Sequence, residues 1–375
     1  MSRGWVEDGF GAVADTFAEN FRLFPELGAA VTVYAGGRKV VELWDGEAAP
    51  GRAWSAETVV PVFSCAKGIV SVVVHLLAQE GRLDLDAPIG TYWPSFVAHG
   101  KENISCRMVL GHRAGVPVLD KTLTFDEIAA WDPVIAAIEE QQPLWEPGST
   151  YEYHGHVFGF VLGEVVRRIT GQLPGAYFRT VIGDPLGLRA WIGLPAAELP
   201  TLARLAEADS RPGIDPEHLL MRIVTMNGAL EFPGLDVPHG WNDPALLGME
   251  LPGAGAVASA TGLAGVYAAA MTGLDGAPPL LSTATVDDAL REVSSGVGFL
   301  GFDGGARWGS GFLLDSSFRP TLGPRSLAND GAGGQFAFAD DEHGIAFAYT
   351  ANRMIGHGDP RASRLVAALP RTGTK

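Results

Sequence analysis

From Trp5 to about Phe24 the apolar residues Val6, Phe10, Val13, Phe17 and Phe21 recur at helical spacing, and Pro25 follows where a helix would stop. Two runs rich in β-branched and aromatic residues come next, Ala29–Ala35 and Arg38–Trp44. They flank Gly36-Gly37, a dipeptide suited to a two-residue hairpin turn. Ser64 to about Glu80 returns to a helical pattern, closed by Gly81 as its C-cap. Its most apolar part, Gly68–Ala78, is interrupted by His75 and falls far short of the roughly 20 residues of a membrane span, so it predicts a buried helix. Residues 85–290 read mostly as helices, over Thr124–Trp131, Val134–Glu140, Val157–Thr170, Pro174–Val181 and Thr261–Met271, with Pro- and Gly-bearing loops at 143–149 and 232–256. Strand patterns return only near the end, at Trp308–Leu314, Gln335–Ala339 and Ile345–Thr350. A turn through Asp340–Gly344 joins the last two, and a helix over Asp359–Leu369 follows.

Strands at both ends with helices between predict an α+β protein. One antiparallel sheet, built from both termini and flanked by terminal helices, should carry a mainly helical lobe beside it. The expected boundaries are 1–60 together with 295–375 for the α/β lobe and 61–294 for the helical lobe, with the active site between them.

Charge narrows the partners. A formal charge of −16 opposes binding to phosphate backbones, which is driven by Lys and Arg displacing counterions, so nucleic acid is not expected. The chain has five lysines, Lys39, Lys67, Lys101, Lys121 and Lys375, and no polybasic stretch to hold an anionic membrane. The first eleven residues carry Glu7 and Asp8 and lack the basic and apolar regions of a secretory signal, which places the protein in the cytoplasm. Cys65 and Cys106 are too few for a disulfide framework and lack zinc-ligand spacing; they read as buried thiols.

Candidate chemistry begins at Ser64-Cys65-Ala66-Lys67, an S-x-x-K at a helix start, where a spacing of three brings both side chains to one face. A serine hydroxyl needs a neighbouring base, and a lysine can serve or assist once burial lowers its pKa; Ile69, Val70 and Val72 offer that burial. The helix N-terminus adds backbone N–H groups that favour an oxyanion. A second piece is Trp145-Glu146-Pro147-Gly148 leading through Tyr151 and Tyr153 to a helix. A phenol near an ammonium loses its proton more readily, so Tyr153 is a candidate general base, with Tyr151 its rival. The third is Asn329-Asp330-Gly331-Ala332-Gly333-Gly334 ahead of the strand at Gln335, where glycines let a substrate approach the backbone. No G-x-S-x-G occurs, which sets aside the α/β-hydrolase elbow. His154 and His156 lack the third ligand and spacing of a metal site and read as ordinary histidines.

Together these pieces, in this order, resemble the serine-active penicillin-recognising enzymes, specifically the class C β-lactamase-like branch that includes the family VIII carboxylesterases. Leu110–Pro117 is similar to the branch's L-x-x-H-x-[AS]-G-x-P segment, with His112 a structural residue, and Asp184-Pro185-Leu186-Gly187-Leu188 also matches. The resemblance implies a β-lactamase/transpeptidase-like fold and a serine carboxylesterase acting on short-chain esters, without metal or organic cofactor. It makes Ser64 the acylated nucleophile, Lys67 its activator and Tyr153 the general base. Asn329 and Gly331 become substrate-binding residues, and the backbone N–H groups of Ser64 and Ala332 the oxyanion hole. Two departures bear on substrate. Gly155 replaces the asparagine of Y-x-N, and Asn329 replaces the lysine of K-T-G that meets a β-lactam carboxylate; Arg325, four residues upstream, is a candidate substitute. A β-lactamase, D-aminopeptidase-type amide hydrolase or acyltransferase of the same fold is the alternative, and a binding protein with a vestigial pocket is another. Arg371-Thr372-Gly373 mimics K-T-G but has no strand after it and reads as a disordered tail.

Overall fold

The computed structural model describes residues 2–207, 215, 217–356 and 358–371; Thr372 and Gly373 of the K-T-G mimic lie outside them. The hairpin Gly28–Ala35 and Arg38–Ala49 turns at Gly36-Gly37, both at positive φ, as the paired glycines require. Strand Gly28–Ala35 pairs on its other side with Ile345–Ala351, which continues through Gln335–Asp340 to Ser326–Gly331. Arg3–Val6 adds an outer strand beside Arg38–Ala49. Both ends of the chain therefore meet in one antiparallel sheet, as the sequence pattern predicts.

The composition of the central strands explains what covers each face. Phe336, Phe338, Phe347 and Tyr349 point to one side, with Val31 and Val33, and form a core with Val13 and Phe17 of helix Gly11–Leu23 and Leu365 of helix Arg361–Ala367. The alternate positions, Ala337, Ala339, Ala346 and Ala348, face the other way into the larger core. Small side chains there let helix Ala260–Met271, itself rich in Ala and Gly and buried all round, lie close against the sheet. This helix falls within the span assigned to the helical lobe by sequence, yet it packs on the sheet.

Several elements differ from the pattern-based reading. The first helix begins at Gly11 rather than Trp5, because Arg3–Val6 is drawn into the sheet edge. Trp308–Leu314 is not a strand: the strand is Asp303–Trp308, and the following residues make only isolated bridges. Asn329-Asp330-Gly331, read from sequence only as lying ahead of the strand at Gln335, forms the end of a further strand, Ser326–Gly331, with the turn at Ala332–Gly334. A small sheet of Val60–Phe63, Ala256–Ala258 and Ala190–Ile192 was hidden in sequence by its short runs.

Helix His156–Thr170 has Gly159 against the backbone of 252–253, where a Cβ would fall 2.1 Å from the Gly253 nitrogen. Gly159→Ala is therefore expected to destabilise the protein by about 1–3 kcal/mol. Equilibrium urea unfolding measures this, and an unchanged midpoint would contradict the close packing.

Candidate active site

Phe63 ends its strand in the left-handed region, at φ 47°, with its ring against Trp241 at 4.6 Å and Phe232 at 6.1 Å. A non-glycine residue held there costs about 1–3 kcal/mol, a strain that tends to collect at functional turns. The turn delivers Ser64, half-buried, just ahead of helix Ala66–Gln79. The Lys67 N–H donates to the Ser64 carbonyl at 3.0 Å, so both residues share the first turn.

Lys67 is enclosed. Its Nζ donates to the Gly253 carbonyl at 2.7 Å, reaches Ser64 Oγ at 3.4 Å and stands 4.7 Å from the centre of the Tyr153 ring. The Tyr153 hydroxyl lies 2.6 Å from Ser64 Oγ. Burial pulls the Lys67 pKa down to about 7, against the opposing effects of Asp330 and Cys65. The same burial pushes the Tyr153 phenol well above its ordinary value, although the hydrogen bond with Ser64 opposes the shift. Here the structure departs from the sequence argument: desolvation outweighs any help from a neighbouring ammonium and opposes formation of the phenolate.

The segment carrying Tyr153 is fixed by His112. The His112 carbonyl accepts from the Glu152 N–H and its Nδ1 accepts from the His154 N–H, each at 3.1 Å. Its ring lies 5.1 Å from that of Tyr153 and meets Trp308 edge-on at 4.3 Å. Burial lowers His112 well below the usual range and His154 and His156 to about 4, which favours the neutral ring in each. His154 and His156 each bond a backbone carbonyl. Tyr151 drops out as the rival base, because its hydroxyl donates to the Gly296 carbonyl at 2.6 Å.

Strand Ser326–Gly331 closes the site from the other side. Gly331 sits so close to the end of strand Val60–Phe63 that a Cβ would fall 2.2 Å from the Val62 carbonyl oxygen. Ala332 follows at the turn. Asn329, in contrast, is buried with both polar atoms committed: Oδ1 accepts from the Tyr267 hydroxyl at 2.8 Å and Nδ2 donates to the Gly311 carbonyl at 3.3 Å. Arg325 is held by Asp287 and Asp341. At position 155 a Cβ would lie 2.7 Å from the Ile223 carbonyl oxygen, so the asparagine of Y-x-N has no room. The Gly253 carbonyl and Tyr267 belong to no motif and escaped the sequence reading, as did the pairing of Asp330 with Arg319 at 2.8 Å, a distant partner that the Asn329-Asp330-Gly331 segment does not announce. Both cysteines are buried and free, as expected.

A beta-lactamase family model matches residues 17–370. The chain belongs to the beta-lactamase family. It is 31% identical to the esterase/β-lactamase LipL of Mycobacterium tuberculosis (strain ATCC 25618 / H37Rv), over 92% of this chain and 83% of that protein. A crystal structure of a family VIII carboxylesterase superposes with a TM-score of 0.88 at 31% identity, covering 98% of this chain and 99% of that one. EstA from Arthrobacter nitroguajacolicus Rue61a matches at the same TM-score, 32% identical, over 98% and 97% of the two chains. The family VIII resemblance and the α+β, β-lactamase-like fold are thereby borne out, and the protein is a serine hydrolase of that fold. Among the described residues no helix is long and apolar enough to cross a membrane.

Keeping Lys67 neutral has a thermodynamic consequence. A lysine whose folded pKa lies near 7 instead of 10.5 disfavours folding by on the order of 4 kcal/mol at neutral pH, a penalty complete below about pH 7 and vanishing as pH approaches that of the free side chain. Lys67→Met is therefore expected to be more stable than wild type at pH 7, by an amount that shrinks by pH 10. Guanidinium unfolding at the two pH values tests this, and equal stability at pH 7 would argue against it.

Proposed function

We propose that the protein hydrolyses short-chain carboxylic esters through a covalent acyl-enzyme on Ser64. The observation that carries this reading is the convergence on Ser64 Oγ of the Tyr153 hydroxyl at 2.6 Å and the desolvated Lys67 Nζ at 3.4 Å. In this reading Lys67, as the free amine, takes the Ser64 proton while Oγ attacks the ester carbonyl. Tyr153 hydrogen-bonds Oγ, gives its proton to the departing alkoxide and takes one in turn from the Lys67 ammonium, so that the phenol ends neutral and Lys67 is again the free amine. The backbone N–H groups of Ser64 and Ala332 receive the negative charge that develops on the carbonyl oxygen. Water then attacks the acyl-enzyme as Lys67 accepts its proton, and the C–Oγ bond breaks as that proton returns to Ser64 Oγ, which releases the acid and restores the free amine.

Uncharged esters suit the site better than β-lactams, which carry a carboxylate. The lysine that meets it in K-T-G is replaced by Asn329, whose side chain is bound internally, and Arg325 is engaged elsewhere. The residue after Asn329, Asp330, is itself paired with Arg319 at 2.8 Å, so that arginine is committed as well. The short-chain preference rests on the resemblance to family VIII carboxylesterases.

Turnover of p-nitrophenyl esters from acetate to decanoate, beside nitrocefin, tests the reading. Ser64→Ala is expected to lose activity by several orders of magnitude, short esters to lead the series, and nitrocefin to be a poor substrate. Activity surviving Ser64→Ala would refute the acyl-enzyme on Ser64. Because the base is Lys67 as the free amine, kcat/KM should fall tenfold per pH unit below about 7 and level off above it. A profile flat from pH 5 to 9 would remove Lys67 from that role.

A further inference from the structure

The turn Ala332–Gly334 rests on a buried charged cluster contributed by distant parts of the chain. Gly333 and Gly334 both have positive φ. A Cβ on Gly333 would fall 2.9 Å from Met354 Cγ, and one on Gly334 would fall 2.1 Å from Asp359 Oδ2 and 2.8 Å from Arg361 Nη2. Glycine is thus required twice over, for conformation and for the approach of these side chains. Arg361 has no exposure. Its Nη2 donates to the Gly333 carbonyl at 2.9 Å, to the Arg353 carbonyl at 2.9 Å and to Asp359 Oδ2 at 2.7 Å. Its Nη1 is held by both Glu26 oxygens at 2.8 Å and its Nε by both Asp359 oxygens at 3.0 Å. Tyr349 donates in turn to Glu26.

An arginine so fully engaged has a fixed orientation, and one of its bonds ends on the peptide carbonyl of the residue next to Ala332. Gln335, just past the turn, is tied by its side-chain amide to the Ala351 backbone at 2.6 and 3.1 Å. Three residues of turn are therefore clamped from below and behind, while Gly331 abuts the Val62 carbonyl in front.

We propose that Arg361 is a positioning residue for ester hydrolysis, fixing the Ala332–Gly334 turn so that the Ala332 N–H is held ready for the developing oxyanion. The inference rests on the oxyanion role given to Ala332 above. It makes helix Arg361–Ala367 and the Glu26-bearing loop part of the catalytic support, although neither touches substrate.

A mutant cycle separates this from a merely structural role. Ala332→Pro deletes the N–H at a site preceded by extended Gly331 (φ −126°, ψ 154°), a conformation compatible with a following proline. With p-nitrophenyl acetate, Ala332→Pro should lose about 10²–10³ in kcat. Arg361→Met should lose roughly 10–100-fold in kcat with KM changed less than threefold, and Arg361→Lys should recover part of that loss. The double variant Arg361→Met/Ala332→Pro should be no more than twofold worse than Ala332→Pro alone, because the two act through one donor. Unchanged kcat in Arg361→Met, or losses that multiply in the double variant, would overturn the proposal. If Arg361→Met fails to give a folded circular dichroism spectrum, Asp359→Asn replaces it in the cycle, with a three- to tenfold loss expected and the same criteria. Ala332→Pro turning over at the wild-type rate would instead sink the oxyanion reading, and the role of Arg361 with it.

Discussion

Lys67 is taken out of water and held by a backbone carbonyl at 2.7 Å, with the serine oxygen at 3.4 Å, and the character of the whole site descends from that placement. In water its amine would be protonated at neutral pH and useless as a base. Enclosure brings the two forms near balance. The enclosure is itself a product of packing on several sides: Gly159 admits the 252–253 backbone, the Tyr153 and Phe158 rings lie within 4.7 and 5.6 Å of Nζ, and the apolar helix runs on behind. The same exclusion of water that frees the lysine holds the phenol protonated. One cause thus favours the uncharged form of both groups, which the proposed mechanism uses as acceptor and donor.

The fold was legible where local pattern and tertiary role agree. The glycine hairpin, the helix after Ser64 and the two strands Gln335–Asp340 and Ile345–Ala351 are each short-range signals, and each survives assembly. Where the reading failed, a distant partner decided the outcome. Arg3–Val6 becomes strand because Arg38–Ala49 offers an edge, and Asn329-Asp330-Gly331 becomes strand because Gln335–Asp340 pairs with it across the turn. The strand Val60–Phe63 is four residues long, with a proline inside it, and carries little pattern of its own.

The site divides in the same way. Ser64 and Lys67 could be read because three positions on a helix suffice to bring them together, and Tyr153 because a motif precedes it. Neither the Gly253 carbonyl nor Tyr267 could be, since a backbone oxygen has no sequence signature and a tyrosine inside an alanine-rich helix reads as core. The direction of the Tyr153 shift was misjudged for a related reason. Sequence exposes charge but not the depth at which charge is placed, and depth governed the result.

The pairing of Gly28–Ala35 with Ile345–Ala351 joins residues separated by about 300 positions of chain. At a synthesis rate of about 5–20 residues per second, the early hairpin waits on the order of 15–60 s for its neighbour to emerge from the ribosome. During that interval a mostly apolar strand, buried along its whole length in the finished fold, presents an open edge, the kind of surface that recruits other chains or chaperones. The helix after Ser64 is made early and strand Ser326–Gly331 late, so biosynthesis delivers the serine of the proposed mechanism well before the last wall of its site has docked.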